Sequence, residues 1–253
     1  MLVGKIVGEG EQPLVCTPLV AKTQETILAE LNNILEKNPD MIEWRADYFE
    51  DITDLAKVVS VARQIVENKN GIPVIFTLRS KREGGYFVPN SPEEALHIIA
   101  AACNEGGVAY VDYELGNSPE QLRKLRQLIK GTNAKIIASF HDFTMTPDKE
   151  TLLSKLGDAE KYGADVAKIA VMPNSLEDVL TVLAVTLEAQ KIIGIPVITV
   201  AMGPIGVATR LLGGIFGSAV TFAVGHESSA PGQIPIEELK TVLTIVQKSM
   251  SGK

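Results

Sequence analysis

The sequence predicts a parallel (β/α)₈ barrel, and three observations lead to this fold class. Eight short apolar segments alternate with eight helix-like segments along the 253 residues. The apolar segments are rich in Val and Ile rather than alternating, which is typical of parallel strands covered by helices. The chain carries no low-complexity linker, so we expect residues 1–253 to form a single barrel domain.

The strands are identified by their apolar runs and by the residues that bound them. Pro73 and Pro196 each open a run, at a position where proline leaves the hydrogen-bonded ladder intact. The predicted strands are, in order, Pro13–Leu19, Met41–Trp44, Pro73–Leu78, Val108–Glu114, Lys135–Phe140, Val166–Ala170, Pro196–Ala201 and Ala219–Ala223.

Helical patterns fill the segments between the strands. Ser91 and Ser118 each precede a proline and an acidic residue, which is typical of a helix N-terminus. Ahead of the first strand, residues 1–10 are predicted to form a hairpin that closes the bottom of the barrel. The predicted helices are 24–37, 52–69, 91–105, 119–130, 148–162, 175–190, 205–212 and 235–249.

A doubly wound open sheet is the competing fold. Such a sheet carries a glycine-rich phosphate-binding turn after an early strand. Here the first strand continues into Val20, Ala21 and Lys22 without such a turn. The glycine-rich run 213–217 comes late in the chain and is better explained by close packing and helix termination. The barrel is therefore the favoured fold.

Composition and charge exclude several functions. The formal net charge is −7 and no run of basic residues occurs, which argues against nucleic-acid binding. No apolar stretch reaches membrane-spanning length and the N-terminus lacks the apolar core of a signal peptide, so we expect a cytoplasmic protein without a membrane partner. Cys16 and Cys103 lie far apart in apolar segments and are expected to be buried, reduced thiols.

Lys168 is the residue least expected of its segment. It lies inside the apolar run 164–171, where a cation is unfavourable unless it has a function or a partner. Desolvation favours the neutral form of an amine, and a neutral lysine amine attacks ketones to form an imine. The first hypothesis is therefore covalent amine catalysis. The alternative is a lysine at a strand end that reaches solvent or pairs with an acid.

Most other polar strand residues fall at the carboxyl ends of the predicted strands, where barrel enzymes carry their active sites. His141 ends the fifth strand beside Asp142. It is the candidate general base, because an imidazole titrates near neutral pH. His97 in a helical segment and His226 in a loop are more simply explained as packed or solvated side chains.

Acidic and basic side chains occur together at these strand ends. A carboxylate there could pair with an arginine, or it could orient the histidine. Metal ligation is less favoured, because arginines are close and histidines are few, and we expect no metal. The acidic residues are Glu43, Glu83, Asp112 and Glu114, and the arginines are Arg45, Arg79 and Arg210.

Arg210 differs from the other arginines because its own segment contains no acidic residue. A guanidinium binds a carboxylate through two parallel hydrogen bonds, so Arg210 is the candidate ligand for an anionic substrate. The loop 228–233 supplies neutral donors and acceptors, and its small residues would allow it to move as a lid.

Short motifs at the strand ends carry a family resemblance. They are Glu43-Trp44-Arg45, Phe76–Ser80, Glu83-Gly84-Gly85, Asp112-Tyr113-Glu114, Ser139–Phe143, Ala167–Pro173, Met202-Gly203, Arg210, Phe216–Ala219 and Ser229–Gln233. In this order, and over the length of the chain, they resemble the type I 3-dehydroquinate dehydratases, the Schiff-base enzymes of the shikimate pathway.

The resemblance implies a hydro-lyase that eliminates water from 3-dehydroquinate to give 3-dehydroshikimate, a step in the biosynthesis of aromatic amino acids. It implies that Lys168 forms the imine, that His141 transfers protons and that Glu83 orients His141. It implies no metal or organic cofactor, and it suggests a homodimer. The residues implied to bind the substrate are Glu43, Arg45, Arg79, Arg210, Ser229, Gln233, Met202 and Phe222.

Two alternatives remain open. A class I aldolase would share the lysine on the sixth strand, but one that acts on sugar phosphates would favour a phosphate site after strands seven and eight. A non-catalytic barrel would bind small anions without turnover. The chain also departs from residues common in the family at Val200, Pro204 and Thr209, and we expect any effect of these departures to be on packing near the substrate.

Overall fold

The computed structural model describes residues 6–10 and 12–251, and the predicted (β/α)₈ barrel is confirmed in them. The strands are β1 (Leu14–Leu19), β2 (Met41–Arg45), β3 (Val74–Thr77), β4 (Tyr110–Glu114), β5 (Lys135–Asp142), β6 (Val166–Val171), β7 (Val197–Ala201), β8 (Val220–Val224) and β9 (Ile234–Pro235). The helices are α1 (Gln24–Glu36), α2 (Leu55–Asn68), α3 (Pro92–Asn104), α4 (Pro119–Leu128), α5 (Lys149–Lys161), α6 (Leu176–Ile192), α7 (Val207–Leu212) and α8 (Ile236–Met250).

The strands pair in parallel in the order β7-β6-β5-β4-β3-β2-β1-β8-β9. The ring closes between β7 and β8, where Ala219 N donates to Val197 O at 2.8 Å and Thr199 N donates to Ser218 Oγ at 3.1 Å. At this seam a side-chain hydroxyl takes the place of a backbone acceptor. The short β9 pairs with the end of β8, which ties the loop between them to the mouth of the barrel.

The core has one part inside the barrel and another between the barrel and its helices. Successive side chains of a strand point to opposite sides. On β2, Ile42 and Trp44 pack under the helices, while Met41, Glu43 and Arg45 point into the barrel. The interior is therefore apolar at the amino ends of the strands and polar at the carboxyl ends. This division separates the packing that stabilises the barrel from the residues that form a site.

The predicted hairpin over residues 1–10 lies partly outside the described residues. Residues 6–10 form a turn, closed by a bond from Glu9 N to Ile6 O of 3.1 Å, and no strand occurs among these five. Val7 is buried in the barrel interior and its N donates to Tyr110 Oη at 3.2 Å. Because Tyr110 begins β4, this turn covers the bottom of the barrel. The extent of the domain over residues 1–253 stays a prediction.

The predicted helix starts at Ser91 and Ser118 are confirmed as N-caps. Their hydroxyls accept from Glu94 N and Gln121 N, at the starts of α3 and α4. A cap of this kind contributes about 1 kcal/mol. Within the described residues, no helix has both the length and the apolar character needed to cross a membrane. Both cysteines are free and buried, as expected.

Candidate active site

A cleft of about 500 Å³, counted with the solvent at its mouth, opens at the carboxyl ends of the strands. Every site residue predicted from the sequence lines this cleft, so the barrel brings all of them together. They are Lys168, His141, Glu83, Glu43, Arg45, Arg79, Arg210, Ser229, Gln233, Met202 and Phe222. The wall also includes residues that sequence reasoning gave no role there, namely Gly84, Phe143, Ala170 and Ala230.

Lys168 lies on the interior face of β6 and is only 6% exposed. Its Nζ is 3.2 Å from Asp112 Oδ2 and 3.6 Å from Glu43 Oε1. It also lies 4.7 Å from the centre of the Phe222 ring, a distance at which a cation is attracted by an aromatic face. The amine is thus buried and paired with acids, but it remains at the wall of the cleft.

His141 lies next to this lysine on the neighbouring strand. The strands β5 and β6 pair with Ser139 opposite Lys168 and His141 opposite Ala170, so the histidine is two residues nearer the mouth. Its Nδ1 is 2.9 Å from Glu83 Oε2, and its backbone N donates to the same oxygen at 3.2 Å. Since Nδ1 is engaged, proton exchange with a substrate falls to Nε2.

Burial shifts the pKa values of His141 and Glu83 in opposite directions. The pKa of His141 is well below its usual value because of burial and the charges of Arg79 and Lys168. Burial, together with the charge of Glu114, raises the pKa of Glu83 to about 8. A protonated Glu83 donates to Nδ1 and leaves the proton on Nε2, whereas an ionised Glu83 accepts from Nδ1 and leaves Nε2 bare. The pair therefore offers either an acid or a base at Nε2.

Arg79 joins the strands that carry these groups. Burial lowers its pKa, but the charges of three carboxylates outweigh burial and the net shift is upward. The contacts of its guanidinium are Asp112 Oδ2 at 2.8 Å, Ser139 Oγ at 3.0 Å, Glu114 Oε1 at 3.3 Å and Glu83 Oε2 at 3.7 Å. Because its charge is compensated on three sides, Arg79 fixes the geometry of the acids more than it attracts an anion.

Asp112 was named from the sequence among the acids at the strand ends but was given no role in the site. It accepts from Ser139 Oγ at 2.6 Å and contacts both Arg79 and Lys168. Burial raises the pKa of this carboxyl, but the charges of Arg79 and Lys168 outweigh burial and hold it well below its usual range. Asp112 therefore stays ionised and anchors the lysine.

Arg45 has a partner that sequence reasoning missed. Its Nε and Nη2 each lie 2.8 Å from an oxygen of Asp47, in a bidentate pair. Burial lowers the pKa of Arg45, but the bonds and charge of Asp47 reverse the net shift. The remaining Nη1 donates to Ser229 O at 3.3 Å. An acid two residues beyond a strand-end arginine is the sequence signal that could have found this pair.

Arg210 has no carboxylate partner among residues 6–10 and 12–251. Its Nη1 and Nη2 donate to the carbonyl oxygens of Phe222 at 3.4 Å and Pro231 at 3.0 Å, while its buried Nε has no hydrogen-bond partner there. Burial lowers the pKa of this guanidinium to about 10, so it stays cationic at neutral pH. This uncompensated charge favours an anionic ligand, as the sequence predicted.

The loop between β8 and β9 lies over the mouth of the cleft. Gln233 Oε1 accepts from Ser229 N at 3.0 Å and Gln233 Nε2 donates to Ser229 Oγ at 3.2 Å, which holds the loop in one shape. Gly203 N donates to Pro231 O at 3.1 Å. Gly232 has φ +74°, and a Cβ on it would lie 2.2 Å from Gly203 O. Only glycine therefore permits this close approach.

The donor set of the cleft suits organic anions better than metal ions. Over the described parts of the chain, no group of three or more His, Cys, Asp and Glu residues is arranged to hold a metal. The two acids that line the cleft, Glu43 and Glu83, and the adjacent Asp112 each lie within 4 Å of a lysine or arginine nitrogen.

A parallel barrel with a buried lysine beside a histidine at its mouth defines a class of enzymes that form an imine with a carbonyl substrate. The comparisons with known proteins narrow this class. The chain belongs to the type I 3-dehydroquinase family, whose sequence profile matches residues 15–250.

Several relatives support this membership. A 3-dehydroquinate dehydratase of Aromatoleum aromaticum is 48% identical over 250 residues, which cover 99% of this chain and 96% of the relative. The crystal structure of 3-dehydroquinate dehydratase from Geobacillus kaustophilus has a TM-score of 0.92 and 46% identity, covering 94% of this chain and 93% of that one. A type I enzyme from Clostridium difficile, solved with covalently modified comenic acid, has a TM-score of 0.92 and 38% identity over 98% of each chain.

Proposed function

We propose that this protein is a 3-dehydroquinate dehydratase, which converts 3-dehydroquinate to 3-dehydroshikimate and water through an imine on Lys168. One observation carries the proposal: Lys168, the Glu83–His141 pair and Arg210 line the same cleft. Within the described residues, no carboxylate pairs with Arg210. These groups supply the nucleophile, the proton carrier and the anion ligand that the reaction needs. The shikimate pathway and aromatic amino acid biosynthesis follow from this reaction.

The reaction begins at the lysine amine. The neutral form of Lys168 attacks the ketone carbon of the substrate. The adduct then takes up one proton and loses one water to give a cationic imine, and the later hydrolysis returns that proton. The imine draws electrons from the adjacent carbon and makes its hydrogen acidic. Nε2 of His141 removes this proton, and the electron pair moves to the imine nitrogen to form an enamine.

Elimination and release complete the cycle. The enamine electrons expel the hydroxyl group at the next carbon, and His141 returns its proton so that the group leaves as water. The conjugated imine is then hydrolysed by a second water, which frees the enone product and restores the amine. The net change is the loss of one water from the substrate, and the lysine supplies the electron sink that would otherwise require a cofactor.

The remaining cleft residues bind and orient the substrate in this proposal. Arg210 binds the carboxylate, because its charge is otherwise uncompensated. The lid contributes Ser229 and Gln233 to the same end of the substrate. The other predicted residues contact the ring hydroxyls of the substrate or form the apolar wall around it. They are Glu43, Arg45, Arg79, Met202 and Phe222.

A class I aldolase is the second candidate, and it rests on the same lysine. The residues after β7 and β8 favour the dehydratase, because Arg210 and the Ser229–Gln233 loop suit a carboxylate and its neighbouring hydroxyls. A non-catalytic barrel is disfavoured by the Glu83–His141 pair, since binding alone does not require a histidine that can exchange protons.

Ultraviolet absorption tests the proposal, because the product contains a conjugated enone and the substrate does not. We expect the absorbance to rise when 3-dehydroquinate is added to the protein and to stay flat with Lys168→Ala. Binding of 3-dehydroquinate with no rise in absorbance would support the non-catalytic barrel. Borohydride trapping of a sugar phosphate, but not of 3-dehydroquinate, would support the aldolase.

A homodimer and a cytoplasmic location are further parts of the proposal. The family resemblance supports the homodimer, and the two free, buried cysteines fit a reducing compartment such as the cytoplasm. Sedimentation equilibrium of the purified protein tests the dimer, for which we expect twice the chain mass of 27.2 kDa.

A further inference from the structure

Asp47 is a buried carboxylate outside the wall of the cleft. It lies in the short 3₁₀ turn Ala46–Tyr48 that follows β2, and its side chain is 0% exposed. Each of its oxygens accepts two hydrogen bonds. Oδ1 accepts from Arg45 Nε at 2.8 Å and Arg79 N at 3.4 Å, and Oδ2 accepts from Arg45 Nη2 at 2.8 Å and Tyr86 N at 3.2 Å.

These four bonds connect two parts of the site. Arg79 and Tyr86 lie at the two ends of the loop that carries Glu83, so Asp47 holds both ends of that loop. The loop is tight, since Gly85 N donates to Ser80 O at 2.9 Å. Its shape presents the carboxylate of Glu83 to the histidine ring.

The two bonds from Arg45 Nε and Nη2 to Asp47 hold the Arg45 side chain in place and compensate its charge. That side chain lines the cleft, and its Nη1 reaches Ser229 O in the lid loop. Its charge acts on His141, whose pKa is held down by burial and then by the charges of Arg79, Lys168 and Arg45. Asp47 compensates the charge of Arg45 without contacting the cleft itself.

We propose that Asp47 is a positioning residue, which aligns the Glu83–His141 pair and Arg45 by fixing the loop between Arg79 and Tyr86. This inference rests on the proposed function, because it concerns the same site. It predicts that loss of Asp47 slows proton transfer in molecules that still form the imine. The effect differs from that of a residue that only stabilises the fold.

Asp47→Asn tests the proposal, because it is nearly isosteric but turns one acceptor oxygen into a donor that faces two other donors. The quantity to compare is kcat per trapped lysine, which is kcat divided by the fraction of Lys168 that borohydride traps with 3-dehydroquinate. We expect this value to fall on the order of 10- to 100-fold, as for a misaligned catalytic group. Asp51→Asn is the matched control, because the side chain of Asp51 is 47% exposed and pairs with Lys57 at 2.8 Å. We expect the control to keep the wild-type value.

The ¹⁵N chemical shifts of the His141 ring provide a second readout that needs no turnover. They are assignable because the chain has three histidines. We expect Asp47→Asn to change the tautomer signature of His141, and Asp51→Asn to leave it as in the wild type. If the wild type makes no 3-dehydroshikimate, the proposed function fails, and these shifts still decide the role of Asp47.

An unchanged kcat per trapped lysine together with unchanged His141 shifts in Asp47→Asn would overturn the inference, whatever happens to the melting temperature. If Asp47→Asn does not fold, Asp47→Glu gives the same comparison, because it keeps the charge but moves the carboxylate by one methylene. We then expect kcat per trapped lysine in Asp47→Glu to fall below the wild-type value, and a wild-type value would contradict the inference.

Discussion

Nδ1 of His141 lies 2.9 Å from Oε2 of Glu83, so the protonation of this carboxyl decides which ring nitrogen carries the imidazole proton. Burial lowers the pKa of the imidazole and raises the pKa of the carboxyl to about 8. Nε2 is therefore free to act as a base once Glu83 has lost its proton. The position of this single proton links the structure of the site to its pH dependence.

The first prediction concerns the pH profile. We expect kcat/KM to rise with pH through a midpoint near the pKa of Glu83, because the base form of the pair appears as Glu83 ionises. In Glu83→Gln the imidazole titrates alone, with a pKa below its usual value, so the rise should move to lower pH. The plateau should fall roughly 10- to 100-fold, because the orienting charge is lost. An unchanged midpoint in Glu83→Gln would show that Glu83 does not control the histidine.

The second prediction separates imine formation from elimination. His141→Ala removes the group that carries the proton but leaves Lys168 and its contacts with Asp112 in place. We expect borohydride to trap substrate on the variant while the release of 3-dehydroshikimate falls about 100-fold or more. Product release at the wild-type rate would exclude His141 as the proton carrier.

The third prediction concerns Arg210. Burying its charge opposes folding, but it leaves an uncompensated charge that can bind an anion. Because burial lowers its pKa, folding disfavours the charged form, and an apolar side chain of similar length relieves this cost. We expect Arg210→Met to keep or raise the melting temperature. KM should rise roughly 10- to 150-fold, because a hydrogen bond to a charged group contributes about 1.5–3 kcal/mol.

Arg123→Met is the control for this prediction, because Arg123 is an exposed arginine that pairs with Glu120 on α4. We expect its KM and melting temperature to stay close to the wild-type values. A lower melting temperature for Arg210→Met with an unchanged KM would mean that Arg210 has a structural role only.

The fourth prediction concerns the contact between the lid and the barrel. Gly232→Ala places a Cβ 2.2 Å from Gly203 O and requires an unfavourable φ of +74°. We expect the lid to lift and KM to rise several-fold with little change in melting temperature. Gly131→Ala is the matched control, because a Cβ there meets no atom within 4 Å. Equal KM values for the two variants would contradict a role for this contact.

Most of the fold was predictable because most of the strands are apolar runs bounded by recognisable residues. Val74 and Val197 begin β3 and β7 one residue after the prolines that were used to place them. The prediction for β5 ended too early, at Phe140, whereas the strand runs to Asp142. Its last two residues, His141 and Asp142, pair with Ala170 and Val171 of β6, and such pairing between strands cannot be read from one segment.

The members of the site were predictable, but their pairing was not. The acids and arginines were identified by their positions at the carboxyl ends of the strands, because these ends meet at one mouth of a parallel barrel. These positions did not show that Arg45 pairs with Asp47, or that Lys168 contacts Asp112 rather than solvent. These pairs depend on the register between strands and on the turns that follow them. The two-residue strand β9 was also missed, because it is too short to form a pattern.

The central claim is that the amine of Lys168 forms an imine with 3-dehydroquinate. Mass spectrometry of the protein after borohydride reduction in the presence of 3-dehydroquinate tests it most directly. We predict a reduced adduct on the peptide that contains Lys168, and no adduct with Lys168→Ala. Turnover of 3-dehydroquinate without an adduct at Lys168, or with an adduct on another lysine, would contradict the account.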